Sequence, residues 1–203
     1  MWKLIEHIDI NLFYLINRGG KNSLFDFVMP ILSDMKYFYI PLGLLWVFMV
    51  AKKNLKTRMI AVTILLLITT SDLINSRVLK PVFGRAKPYY TISNIHYYNN
   101  TTWTITSKLE KAIKTKKYAF PSSHATNLFA AAFFLSYYYP KFFPFFYLIA
   151  IMVGYSRIYL GEHYPFDVIA GGIEGTLFGL IFVWIGNQIM VFFERKGKER
   201  HNF

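Results

Sequence analysis

The chain has 203 residues, room for one domain, with 54% hydrophobic and 17% charged residues, a mean hydropathy of +0.31 and a formal net charge of +12. That balance moves the class from soluble protein to integral membrane protein. The absence of cysteine excludes disulfides, thiolate catalysis and Cys-based metal sites. In a membrane setting the positive charge points to anionic lipid headgroups, and no DNA- or RNA-binding motif accompanies it, so no nucleic acid is expected as a partner.

Residues 1–35 open the chain. The run from Met1 to Ile16 carries Lys3, Glu6, His7 and Asp9 and is followed by no small-residue cleavage site, so it does not read as a signal peptide. Trp2, Leu4, Ile5, Ile8, Leu12 and Phe13 form one apolar helical face with Lys3, Glu6 and Asp9 off it, the pattern of an interfacial helix. Gly19-Gly20 is expected to break it before a second apolar stretch at 25–32. Together the two pieces read as a sixth span or half-span.

Five apolar segments follow, at residues 37–51, 57–76, 125–139, 143–159 and 168–193, judged against the ~20 residues a helix needs to cross a bilayer. The expected fold is therefore all-α, a polytopic transmembrane bundle of five to six spans forming one membrane-embedded domain over 1–203. If the spans alternate, Lys52, Lys53, Lys56, Arg58, Lys141 and the tail bases Arg195, Lys196, Lys198 and Arg200 share one side. The positive-inside rule makes that side cytoplasmic. The loop 89–120 lies on the other side. It carries Tyr89, Tyr90, Tyr97, Tyr98 and Trp103, then Lys108, Lys111, Lys114, Lys116 and Lys117, and reads as an interfacial segment on anionic headgroups or as a solvated loop.

Three polar clusters fall at span ends on that same face: 80–88 (KPVFGRAKP), 121–124 (PSSH) and 156–167 (SRIYLGEHYPFD). Charge beside lipid is costly and marks function by default. Ser122 before a long helical run is a candidate N-cap, and a helix N-terminus favours anions, phosphate above all. His163 and Asp167 are four apart beside Pro165, a first-turn residue. The spacing lets the carboxylate orient the imidazole and leave its other nitrogen as base or nucleophile. Lys80, Arg85, Lys87 and Arg157 are fixed cations suited to a phosphate clamp. Taken singly, each cluster reads as readily as a plain cap, a surface histidine or a snorkelling base. Their convergence on one face is what points to one site.

Deeper in the spans, Glu174, about two turns beyond Asp167, reads as neutral or paired within the bundle, and Gly171, Gly172, Gly175 and Gly179 as sites of close helix packing.

The three clusters together resemble the signature of the type 2 phosphatidic acid phosphatase (PAP2) superfamily. Its pattern is Lys, six residues and Arg-Pro; Pro-Ser-Gly-His; and Ser-Arg, five residues, His, three residues, Asp. The resemblance covers about residues 57–190. The third motif matches at Ser156, Arg157, His163 and Asp167; the second has Ser123 in place of Gly; the first has Lys80 and Pro88 but Lys87 at the arginine position. Lysine offers a point charge where arginine offers a fork.

The resemblance implies a lipid phosphatase that needs no metal and no cofactor. His163 is then the nucleophile oriented by Asp167, and His124 the general acid. Lys80, Arg85, Lys87, Ser122, Ser123 and Arg157 hold the phosphate. The implied substrate is a lipid phosphate such as lipid A 1-phosphate, phosphatidylglycerophosphate or phosphatidate, met at the outer face of a bacterial inner membrane. An isoprenoid-carrier diphosphate such as undecaprenyl diphosphate is the alternative substrate, and a non-catalytic phospholipid-binding or transport protein the alternative class.

Overall fold

The computed structural model describes residues 2–106 and 118–201. The elements run α1 (Trp2–Tyr14), continued by a π-helical turn Leu15–Gly19, α2 (Ser23–Ser33), α3 (Tyr39–Ala51), α4 (Leu55–Ile74), a second π turn Asn75–Leu79, α5 (Lys80–Phe83) and α6 (Pro88–Thr91). A two-stranded antiparallel hairpin follows, β1 (His96–Tyr98) and β2 (Trp103–Ile105), then α7 (Ser123–Tyr138), α8 (Phe143–Tyr159) and α9 (Pro165–His201). The bundle is helical as expected; the hairpin is an addition to it. The loop lysines Lys108, Lys111, Lys114, Lys116 and Lys117 lie outside the described residues.

Among the described residues, three helical stretches are long and apolar enough to cross a membrane: Leu55–Phe83, Pro140–Tyr159 and Pro165–Phe193. Helix α2 and α3 are apolar but shorter. At 1.5 Å per residue the 13 residues of α3 reach about 20 Å, short of a ~30 Å hydrocarbon core. The outer faces of these helices are apolar: Leu44, Phe48, Leu66, Leu148, Ile151, Leu177 and Trp184 are all exposed, as lipid-facing side chains are.

Helix α7 is the centre of the bundle and packs most extensively on α9. A Cβ on Gly175 would run into the Thr126 carbonyl and lie 2.9 Å from the Ala130 nitrogen; one on Gly171 would lie 2.6 Å from the Ser122 carbonyl, and one on Gly179 2.9 Å from that of Ala130. Spaced by four, these three glycines form a smooth strip against which the α7 backbone lies, the close packing read from the sequence. Gly172 faces Phe129 at ordinary contact distance.

The N-terminal helix turns most of its apolar face outward, as an interfacial helix does. Leu4, Ile5, Ile8 and Leu12 are exposed, whereas Asp9, Phe13 and Asn17 are buried at 1%, 0% and 1% exposure. Asp9, off the apolar face in the sequence reading, is inside, and Phe13, counted on that face, is buried with it. In lipid the apolar face turns outward and the polar positions find partners within the protein. The helix ends at Gly19-Gly20 as expected, and α2 begins at Ser23. Just before that break the π turn carries Asn17 inward, where its Nδ2 donates to the carbonyls of His96 (2.7 Å) and Tyr159 (2.9 Å) and its Oδ1 accepts from the His96 nitrogen (3.0 Å). The π turn at Asn75 does the same for α4 and rotates the following Lys80 relative to the helix below it.

Candidate active site

The three clusters meet where α4–α5, the start of α7 and the α8–α9 loop come together. Helix α8 ends at Tyr159, and the chain turns through Gly161 at φ +78°, where a Cβ would also strike the His96 carbonyl at 2.6 Å. The amides of Glu162 and His163 both donate to the Arg157 carbonyl (3.0 and 3.1 Å), which folds the loop back on its own helix. The hairpin closes over it, the Tyr98 amide donating to the Leu160 carbonyl at 3.2 Å. At the other end Ser122 N donates to the Asp167 carbonyl at 3.0 Å, so the second motif is tied to the third through backbone.

His163 is buried, with its Nδ1 3.5 Å from Asp167 Oδ2, a contact beyond hydrogen-bond length. Burial first, and then the charges of Lys87, Arg157 and Lys80, hold its imidazole well below the usual histidine range, so the ring is neutral at neutral pH. His124, on the first turn of α7, lies within the fields of Arg157, His163, Lys87 and Lys80. The structure thus brings together His163, His124, Lys80, Lys87 and Arg157, residues drawn from three separate stretches of sequence.

Asp167 does more than face the histidine. Its Oδ2 accepts the Tyr164 amide (2.8 Å), the capping role that the first turn of a helix invites, and its Oδ1 takes Arg85 Nη1 at 2.7 Å. Arg85, expected on phosphate, here contacts two acids. Its guanidinium is a bridge between carboxylates, with Nη2 2.6 Å from Asp9 Oδ2, and it stacks over the Tyr164 ring at 3.9 Å. Burial opposes its charge, but Asp167 and Asp9 outweigh that and raise its pKa. Both terminal nitrogens of Arg85 are on acids, tying the start of α9 to α1.

Lys87, at the arginine position, pairs with Glu162 Oε2, and the same oxygen lies 3.3 Å from Arg157 Nη2. Burial pushes the Glu162 carboxyl up, yet Arg157 and Lys87 outweigh it and hold it below the usual carboxylate range. Glu162 is thus an anion among the cations expected to grip phosphate. Arg157 Nη1 donates to Ser33 Oγ on α2. Lys80 Nζ donates to the Tyr118 carbonyl at 3.2 Å. Ser122 occupies the N-cap position of α7, but its hydroxyl makes no capping bond. Ser123 Oγ donates to Asn75 Oδ1 at 2.9 Å, away from the cations.

Below the charges lies a neutral network. Asn75 Nδ2 donates to Glu174 Oε2 (2.8 Å) and Thr126 Oγ1 (3.0 Å), and Thr126 Oγ1 donates to the same Glu174 oxygen at 2.9 Å. The pairing within the bundle read for Glu174 is present.

Sequence reasoning missed Asp9, Ser33 and Glu162. Asp9 had a signal: it shares one helical stripe with Phe13 and Asn17, at spacings of four. Glu162 also had one, as a carboxylate next to the expected nucleophile in a loop otherwise rich in cations. Ser33 had none.

Five buried side-chain polar atoms lack a hydrogen-bond partner among the described residues, and three of them are Ser122 Oγ, Arg157 Nε and His163 Nδ1. Buried polar groups are ordinarily paired. Of the three, His163 Nδ1 faces Asp167 Oδ2 at 3.5 Å, and Ser122 Oγ and Arg157 Nε remain as unsatisfied groups at the cationic site.

Comparison with known proteins agrees with this geometry. The family model described as the PAP2 superfamily matches residues 60–190. The bacitracin transport permease protein BcrC of Bacillus licheniformis is 25% identical over 91% of this chain and 83% of its own length. A lipid A 4′-phosphatase of Bacteroides thetaiotaomicron is 28% identical over 93% of this chain and 81% of its own. The crystal structure of Aquifex aeolicus LpxE superimposes with a TM-score of 0.66 at 23% identity, covering 87% of this chain and 94% of that one, so the two share a fold. With the family model spanning well over half its length and all three motif clusters converging in space, the chain belongs to the PAP2 superfamily.

Proposed function

We propose that this protein is an integral-membrane lipid phosphatase that works through a phosphohistidine on His163, with the whole chain from α1 to α9 acting as one unit. The observation that carries the reading is the neutral, buried imidazole of His163 set among Lys80, Lys87 and Arg157. Asp167 faces Nδ1, so Nε2 is the attacking atom. In the first step Nε2 bonds to phosphorus, the bond from phosphorus to the lipid oxygen breaks, and His124 gives that oxygen its proton. In the second, His124 takes a proton from water, whose oxygen attacks phosphorus, and the P–N bond breaks to release inorganic phosphate and restore both histidines. Phosphoryl transfer spreads charge over three equatorial oxygens. Lys80, Lys87, Arg157 and the Ser122 and Ser123 region of the α7 N-terminus are positioned to offset it.

The substrate class is a membrane lipid bearing a terminal phosphate. The lipid A 4′-phosphatase among its relatives supports a phosphorylated glycolipid, with phosphatidylglycerophosphate and phosphatidate as the other candidates. The site is proposed to face the exterior of the inner membrane. Its support is topological: Lys52, Lys53, Lys56, Arg58 and Lys141 lie at the helix ends remote from the site, and the basic ends are the cytoplasmic ones.

The test is phosphate release from a panel of purified lipids in the presence of EDTA, the panel including lipid A phosphates, phosphatidylglycerophosphate, phosphatidate and an isoprenoid diphosphate. Wild-type protein releases phosphate from at least one; folded His163→Ala protein releases none. Turnover by His163→Ala, or inhibition of the wild type by EDTA, would overturn the mechanism.

A further inference from the structure

The family match begins at residue 60, yet the nucleophile loop is held from residue 9. Asp9 is 1% exposed on α1. Its Oδ1 accepts the Phe166 amide at 2.9 Å, and its Oδ2 takes Arg85 Nη2 at 2.6 Å. Arg85 Nη1 reaches Asp167 Oδ1 at 2.7 Å, and Asp167 Oδ2 faces His163 Nδ1 at 3.5 Å. A continuous chain of contacts therefore runs from Asp9 through Arg85 and Asp167 to His163.

The geometry of the fork explains what Asp9 adds. Left alone with Asp167, a guanidinium grips both carboxylate oxygens. Asp9 draws off one arm, so Asp167 meets Arg85 through Oδ1 only, and its Oδ2 stays directed at the Tyr164 amide and the imidazole. The charges matter as well: two carboxylates and one guanidinium leave one net negative charge beside His163. The ring becomes cationic when it carries the phosphoryl group, in surroundings already occupied by Lys80, Lys87 and Arg157.

We propose that Asp9 is a positioning residue for the reaction, acting through Arg85 and Asp167 on His163, so that the N-terminal helix is part of the catalytic apparatus. The proposal rests on the reading of His163 as the nucleophile.

Asp9→Asn in the full-length protein is the test, because an amide oxygen still accepts from Phe166 N while the charge is gone. With the panel's best substrate, kcat is expected to fall about tenfold or more with KM changed less than about threefold, the pattern of an interaction made in the transition state. The acid limb of kcat/KM moves to lower pH. His163 is faced by Lys80 from α5, Lys87 from the segment before α6, His124 from α7, Arg157 from α8, Glu162 from its own loop and Asp167 from α9; removing the Asp9 charge makes that set more positive and the imidazolium harder to form. Thermal unfolding is measured on the same samples. Should Asp9→Asn not yield folded protein, Arg85→Lys carries the same test, since one ammonium does not reproduce the fork that spans two carboxylates. An unchanged kcat and pH profile, with or without a lower unfolding midpoint, confines Asp9 to tethering α1 and overturns the proposal. Activity in His163→Ala instead overturns the reading beneath it.

Discussion

Two polar layers lie one beneath the other in this bundle, and they are satisfied in opposite ways. The layer at the α8–α9 loop is ionic: Asp9, Arg85 and Asp167 on one side of His163, Lys87, Glu162 and Arg157 on the other. The layer around Asn75, Ser123, Thr126 and Glu174, roughly two helical turns deeper along α9, is a web of neutral donors closing on one acid. The ionic layer leaves Arg157 Nε and His163 Nδ1 unpaired, where the web leaves one oxygen of Glu174. Charged groups with spare donors suit a ligand that arrives charged; hydrogen-bonded amides and hydroxyls suit helices that need registering. The difference separates chemistry from assembly, and it can be broken by mutation.

The largest effect is expected in the ionic layer. His163→Ala abolishes phosphate release, as loss of the proposed covalent nucleophile does, with the unfolding midpoint near that of the wild type. A midpoint collapse without a specific loss of turnover would erase the distinction between the layers. Next comes the seam of the lower layer. Gly175→Val pushes a branched side chain against the Thr126 carbonyl and the Ala130 nitrogen, and overpacking of that kind costs about 1–3 kcal/mol. It should appear as a lower unfolding midpoint, with kcat per folded molecule largely retained.

Glu162→Gln sharpens the ionic side. It removes the anion that competes for Lys87 and Arg157, so inorganic phosphate should inhibit about three- to tenfold more strongly, in line with one charged hydrogen bond. Weaker inhibition would mean that Glu162 serves chiefly to hold Lys87 in place. A pH titration tests the same region without mutation. Because the His163 imidazole lies well below its usual range, the ring proposed as nucleophile stays neutral as pH falls through the ordinary histidine value near ~6.5. The acid limb of kcat/KM is therefore expected below that value; a limb at or above it would contradict the buried, cation-flanked ring. The smallest effect is Glu174→Gln. Thr126 and Asn75 keep an acceptor, so kcat should stay within about twofold and stability within about 1 kcal/mol.

Much of the site was legible before the fold. His124, His163, Asp167 and Arg157 announce themselves because charge and imidazole at the ends of apolar runs are expensive and the spacing is specific. The glycines at 171, 175 and 179 were legible for a related reason, since a stripe of small residues in an apolar helix has few uses besides close packing. The ion pairs of Arg85 were not legible, because a cation beside a phosphate motif looks the same on paper whether it faces phosphate or two carboxylates. The burial of Asp9 was not legible, because amphipathic patterning says which residues share a face but not what the opposite face packs against. In water Leu4, Ile8 and Leu12 would turn in; beside lipid they turn out and carry Asp9 to the core.

What the sequence determined by itself is the local chemistry: apolar helices of membrane-spanning composition, a histidine–aspartate pair at a helix start, a cation-rich face and membership of a family pattern. These follow from composition and from spacings of a few residues, which the backbone translates directly into geometry. The tertiary structure decided the pairings between residues 75 to 157 positions apart: Asp9 with Phe166, Arg85 with Asp167, Lys87 with Glu162 and Asn75 with Glu174. Each depends on which helix ends meet and on how a buried charge is neutralised, and that is settled only when the whole bundle has chosen its partners.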